Sequence, residues 1–424
     1  MAEIKTFKAL RFTDKAGDIA KNVCPPYDII SDAQRVEYLN DSRYNIIRLE
    51  LPKGDDPYAQ AGETLEKWLQ DGILKQDDKD GLYIYEEEFE AYGQKYTIRG
   101  MVCLVKLEEF SKGVVLPHEE TLSKAKTDRF NLMSATYCNF SQIYSMYIDE
   151  TNEISGKVNE IGNRKPDIEF KTADGVIQRL WVSQNDADNE FITSRFKDKQ
   201  LYIADGHHRY ETALNFKKKM IEDGTLTDET QGGNYVMMFL IDIDNPGLVI
   251  FPTHRFVRDL ANYDEAKTVE GIKKYFDVEK INGIDKLDET LRKSDDKRTY
   301  AYYTGKDYYY LCRIKDESIV KQKLADKSEA YCSLDVTALH TLILEEVFGI
   351  DKENMAKQIN LTYTRDFSEA IEKVKDGTFQ CSFILNSTKI HQIKDVALAG
   401  EKMPQKSTYF YPKLITGLVM NKLK

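Results

Sequence analysis

Residues 200–216 read QLYIADGHHRYETALNF. Leu201-Tyr202-Ile203-Ala204 is short, apolar and aromatic, the composition of a buried strand, whereas Tyr210 to Met220 carries helix formers with Ala213, Leu214 and Phe216 along one side. Asp205-Gly206 is then a strand-to-helix turn. A glycine lets the backbone turn tightly and lets a ligand approach, and the helix beyond it offers unpaired N–H groups and the positive end of its dipole. That is a seat for phosphate. His207, His208 and Arg209 fill the first helical turn, where the dipole disfavours cations unless an anion, or a metal carrying one, meets them. The plainer alternative has Asp205 as an N-cap, the histidines on the surface and Arg209 paired with Glu211 or another carboxylate.

The chain has 424 residues, enough for two or three domains, and its 41% hydrophobic and 31% charged residues suit globular cores. A net charge of −11 argues against a nucleic-acid protein that neutralises phosphates over a broad face and favours a small anionic ligand. The start, MAEIKTFKALRF, lacks a signal-peptide apolar run, and no segment approaches about 18 consecutive apolar residues, so a cytoplasmic protein without membrane partners is expected. Six scattered cysteines without a CxxC pair read as buried, reduced thiols.

Working outward, VCPPYDII (23–30) is a rigid extended segment that could hold Tyr27 and Asp28 against a site. Ser31-Asp32 starts a helix, NIIRLEL (45–51) reads as a strand, and residues 82–107 alternate as two antiparallel strands turning near Gly93. His118-Glu119 follow a proline and precede a polar loop with Lys124, Lys126 and Arg129, cations that read as a solvated face. A histidine and a carboxylate delivered together suit proton transfer; they are not HExxH, so no zinc-protease reading survives. A strand over 248–251 ends in Pro252-Thr253-His254-Arg255, and strand ends are where open α/β sheets place ligand groups. RTYAYYTGKDYYYLCRI (298–314) is a hairpin, and 334–348 a helix with His340 near the edge of its apolar stripe. Near the end, Lys406-Ser407-Thr408 form a proline-bounded loop; Gln405 stands where a Walker-A motif needs glycine, which leaves Lys406 as an arm able to reach a phosphate.

Taken together, CPPYD (24–28), HEET (118–121), ADGHHRYETAL (204–214), GLVIFPTHR (247–255) and MPQKSTYFYPK (403–413) resemble a bacterial family named only as a domain of unknown function, number ten-fifteen. The resemblance spans nearly the whole chain. It implies ATP-dependent phosphorylation of free L-serine, and the DGHHR turn is similar to the nucleotide-binding turn of the ParB and sulfiredoxin superfamily. His207 stands where sulfiredoxins carry cysteine, so sulfinic acid repair is not supported.

The expected fold is mixed α/β (α+β), a ParB/sulfiredoxin-like nucleotide-binding core with additional αβ subdomains, divided as 1–150, 151–260 and 261–424. The expected activity is a small-molecule kinase using ATP and Mg²⁺, with self-association left open. Gly206, His207, His208 and Arg209 would hold nucleotide phosphates, with Arg255 or Lys406 as further clamps. Asp205 would bind Mg²⁺ or orient a water, and Glu119 with His118 would accept the serine hydroxyl proton. Two other classes compete: a metal-dependent hydrolase built on His118, His207, His208, His254 and Asp205, and a nucleotide sensor that turns nothing over.

Overall fold

The computed structural model describes residues 2–119, 123–294 and 298–424. Glu120 and Thr121 of HEET, and the Lys124 side chain, lie outside what it describes. The chain divides into two compact units: unit 1 is Met1–Pro117, Thr121–Val249 and Pro412–Lys424, and unit 2 is His118–Glu120 and Ile250–Tyr411.

Unit 1 is built on one mixed sheet of β1 (Ile4–Lys5), β2 (Leu82–Ala91), β3 (Gln94–Lys106), β4 (Val115–Leu116), β5 (Ile143–Tyr147), β6 (Ile168–Lys171), β7 (Ile177–Ser183), β8 (Leu201–Asp205) and β9 (Tyr235–Asp242). The spatial order is β4-β8-β5-β9-β3-β2-β7-β6, with β1 on β3. The β2–β3 hairpin closes at Tyr92-Gly93, whose φ values of 52° and 71° are the left-handed pair that a two-residue hairpin turn requires. The organising strand β8 runs parallel to β4 and antiparallel to β5, and its register to β5 slips between Ile203 and Asp205. Two helices matter to the site: α1 (Ser123–Thr136) and α2 (His207–Glu222). Lys126 pairs with Glu211 and Phe130 meets Phe216 further along, so the two helices run in the same direction with their N-terminal ends together. The apolar side chains of β8 and α2, among them Leu201, Ile203, Tyr210, Ala213 and Phe216, join a core with Met101, Val236 and Met238.

Unit 2 carries an all-antiparallel sheet of β10 (His254–Val257), β11 (Phe276–Asn282), β12 (Thr299–Tyr303), β13 (Tyr308–Ile314), β14 (Leu361–Thr364) and β15 (Cys381–Leu385), in the order β11-β13-β12-β15-β10-β14. The tyrosine-rich run is the β12–β13 hairpin, with Tyr300, Tyr302, Tyr303 and Tyr309 buried. All six cysteines are buried and unbridged. No helix among the described residues is long and apolar enough to cross a membrane.

Four local expectations are corrected. NIIRLEL is not a strand but a helical turn over Ile47–Glu50: Asn45 Oδ1 accepts from Ile47 N while its Nδ2 donates to the carbonyls of Lys21 and Val23, which fixes a turn start. Ile46, Ile47, Leu49 and Glu50 are all buried, so the apolar pattern there carries no period to separate strand from helix. The polar loop expected around residues 124–129 is the start of α1, and Arg129 is buried rather than solvated because Glu50 and Asp128 supply its counter-charge. His254-Arg255 do not end the preceding strand; they open β10, paired on both sides. The helix expected over 334–348 is α-helical only at Asp335–Ala338 and continues as a π-helix over Leu339–Glu345.

Candidate functional site

The predicted residues fall into two groups, one in each unit. In unit 1 the turn has the expected form: β8 ends at Asp205, Gly206 takes φ +95°, and α2 starts at His207 with no capping side chain. Asp205 is therefore not an N-cap. Its carboxylate is held by two cations, Arg209 Nη2 at 2.7 Å on one oxygen and Lys413 Nζ on the other. Arg209 also donates to the carbonyl of Gln142, the residue before β5, and Gln142 in turn donates to the carbonyl of Ile415 at 3.1 Å. The register of β8 to β5 slips between Ile203 and Asp205, at the residue that meets these partners. The guanidinium lies directly over Gly206: a Cβ there would stand 3.0 Å from its Cζ, Nε and Nη2. Glycine is needed here twice, for φ and for space.

Burial opposes the negative charge on Asp205, but Lys413 and Arg209, with a smaller contribution from His207, outweigh it and hold the carboxyl well below the usual range. A second ion cluster stands nearby. Glu50, pushed upward by burial against the pull of Arg129 and Arg209, accepts from Ser141, and the buried Arg129 reaches Glu50 and Asp128 at 3.4 and 2.6 Å. Tyr27, from the CPPYD segment, lies against the Arg129 guanidinium with 4.0 Å to its ring centroid. That segment does bring Tyr27 to the cluster, although Tyr27–Ile29 forms a 3-10 turn after the extended prolines. His207 is buried and His208 half-buried at the head of α2. Lys413 went unassigned in the sequence reading: it lies 208 positions from Asp205, and its one signal was its place at the end of the MPQKSTYFYPK motif.

In unit 2 the structure brings His118, Glu119, Arg255 and Lys406 together on the 403–408 loop. Glu119 forms a parallel bridge to Met403, whose N–H donates to the His118 carbonyl at 2.7 Å. Glu119 Oε1 accepts from Lys406 N at 3.1 Å, and His118 Nε2 lies 3.0 Å from Thr408 Oγ1. Lys406 takes a left-handed φ of +56°, which presents its amide to Glu119, its carbonyl to Arg255 Nη2 at 3.1 Å, and its side chain to solvent. Arg255 is wholly buried, and burial brings its pKa down to about 10. His254 is held neutral, near 3, by burial and by Arg255, and its Nδ1 accepts from Leu385 N, the bonding of a structural histidine. Among the described residues, no group of three or more His, Cys, Asp and Glu side chains is arranged to hold a metal ion.

The molecule is thus a mixed α/β protein whose large sheet ends one strand in a cation-braced turn at a helix N-terminus. Its sequence matches the family model described as "Protein of unknown function (DUF1015)" over residues 4–337, and the chain belongs to that family. No curated protein matches it. Among solved structures, a conserved hypothetical protein from Pyrococcus furiosus is similar over 76% of this chain and 95% of its own, at 14% identity and a TM-score of 0.36. A free serine kinase in complex with AMP is similar over 76% and 91%, at 12% identity and 0.37. SbnI with a C-terminal truncation, from Staphylococcus aureus, is similar over 74% and 85%, at 10% identity and 0.34.

Proposed function

We propose that the protein is an ATP-dependent small-molecule kinase with a ParB/sulfiredoxin-like nucleotide core, and that its acceptor is the hydroxyl of free L-serine. The observation that carries the reading is the turn at Asp205–Arg209. A glycine in the left-handed region at the start of α2 and two cations fixed on one carboxylate form a preorganised positive seat, which favours a phosphate over water. The N-terminal end of α1 beside that of α2 adds a second dipole of the same sign. The choice of serine rests on the resemblance carried by the five motifs.

In this reading the serine hydroxyl oxygen attacks the γ-phosphorus, the bond from that phosphorus to the β–γ bridging oxygen breaks, and ADP leaves. The hydroxyl proton passes to Glu119, with His118 beside it in sequence. Gly206, His207, His208 and Arg209 hold the nucleotide phosphates, and Arg255 and Lys406 keep their assignment as further cations. Mg²⁺ would arrive on the nucleotide phosphates rather than on Asp205, whose two oxygens already face Lys413 and Arg209, and no step is routed through it.

The test is incubation with ATP, Mg²⁺ and a panel of free amino acids, read by mass spectrometry for a phosphorylated product. Phosphoserine is expected. Demonstrable ATP binding with no phosphorylated amino acid would replace the kinase by a nucleotide sensor. Arg209→Lys keeps the charge but loses the planar fork, so kcat should fall by about 10²-fold with a smaller change in KM for ATP. Glu119→Gln should lower kcat by more than it weakens ATP binding, since its amide oxygen can still accept from Lys406 N while the proton acceptor is lost.

A further inference from the structure

Unit 2 holds a cavity of about 210 Å³ beneath its π-helix that the phosphate seat does not involve. Its buried side carries Thr337 and His340, its more open side Lys327, Lys352 and Lys402, and Tyr363 completes the wall. Thr337 Oγ1, His340 Nε2 and the Tyr363 hydroxyl are all buried without a hydrogen-bond partner among the described residues. Each orphaned group of this kind is costly, and three lining one cavity make a cluster that a ligand could satisfy. His340 is itself 93% shielded from solvent, at 7% exposure, and burial holds its imidazole neutral, able to donate or accept a single bond at Nε2. It sits in the Leu339–Glu345 π-helix, a rare geometry concentrated at functional sites.

The charge around this cavity is also unbalanced. Arg255, wholly buried with 5.5 Å between its guanidinium and the Tyr363 ring centroid, has no carboxylate partner among the described residues, and its Nε is orphaned. A buried guanidinium without a counter-ion is costly. Of the three lining lysines Lys327 pairs with Glu401 at 3.6 Å, which leaves Lys352 and Lys402 against one lining carboxylate, Glu345, to add to the positive field. The volume lies below the roughly 300–1,000 Å³ of pockets for drug-sized ligands, the size for a small ligand. We propose that this cavity binds a small hydroxy-carboxylate: the carboxylate faces the lysines and the field of Arg255, and the hydroxyl pairs with the Thr337, His340 and Tyr363 groups.

The test uses the full chain without nucleotide, so its outcome does not depend on the kinase reading, with which it shares Arg255. Titration calorimetry with L-lactate, L-malate, propionate and inorganic phosphate should show saturable binding of a hydroxy acid, with propionate at least tenfold weaker. Thr337→Val should abolish that discrimination, and Lys402→Gln, at a partly exposed position, should weaken lactate and malate at least fivefold with an unchanged melting temperature. Absence of saturable binding by either hydroxy acid at 10 mM would overturn the proposal. So would binding indifferent to both substitutions, or binding of phosphate alone.

Discussion

Removing one of the two cations on Asp205 gives the most direct measure of how the turn is held. Lys413→Met keeps the alkyl stem and deletes the charge. The Lys413 and Asp205 side chains are 9% and 18% exposed, so their ion pair is largely desolvated, while Arg209 still pairs with Asp205 after the change. One charge-assisted hydrogen bond is therefore lost without fully orphaning the carboxylate, a cost of about 2 kcal/mol. Asp205→Asn should cost more, about 3–5 kcal/mol, because it leaves two cations facing each other around a neutral amide. In the Asp205→Asn background Lys413→Met should then be neutral or stabilising, giving a coupling of about 2 kcal/mol. Both tryptophans, Trp68 and Trp181, are buried in unit 1, so urea unfolding followed by tryptophan fluorescence reports the correct unit. The acid limb supplies a second reading. The folded Asp205 carboxyl lies below its unfolded value of about 3.9. Its contribution is thus complete above that value and is lost as pH falls toward the folded one. Lys413→Met removes the stronger of the two pulls that depress it, so the acid midpoint should move to higher pH. A coupling under about 0.5 kcal/mol together with an unmoved acid midpoint would refute the bracing role.

Two further outcomes follow from the same unit. Gly206→Ala places a Cβ at φ +95° and 3.0 Å from the guanidinium, so it should cost about 1–2 kcal/mol in backbone strain and weaken ATP binding by calorimetry; wild-type affinity and stability would mean the guanidinium moves without consequence. Glu87 is wholly buried, accepts from the Tyr85 hydroxyl at 2.7 Å, and is pushed up to about 8 by burial. Its folded value exceeds the unfolded one of about 4.3, so its contribution is favourable below that and is lost as pH rises toward 8. Glu87→Gln should therefore gain in urea midpoint relative to wild type between pH 5 and pH 8, and an equal difference at both pH values would contradict a protonated Glu87.

The strand and helix around Asp205 were legible because a short apolar run, a glycine and a helix-forming run adjoin each other, and local chemistry decides such a junction. The β2–β3 and β12–β13 hairpins were legible for the same reason. What sequence could not supply was the partner of each charge. Arg129 read as solvated because nothing local announces that Glu50, 79 positions away, shares its buried setting. Arg209 was correctly paired with a carboxylate in the plainer alternative, but with Asp205 one turn back rather than Glu211, which Lys126 takes. Lys413 escaped altogether. NIIRLEL failed differently: an apolar cluster buried on all sides has no period, and the side chain that forces the turn, Asn45, draws its bonds from residues 21 and 23.

The position of Lys413 also sets an order of events during synthesis. Asp205 leaves the ribosome 208 residues ahead of the lysine that neutralises it, an interval of about 10–40 s at ordinary elongation rates. Through that interval the nascent sheet must carry the Asp205–Arg209 pair alone, and the backbone pairing of Leu10 with Met420 is still unmade. Residues 412–424 act as a closing latch, so unit 1 is complete only after they have been made, and a ribosome stalled before residue 412 would expose a half-neutralised turn to chaperones rather than a fully braced one.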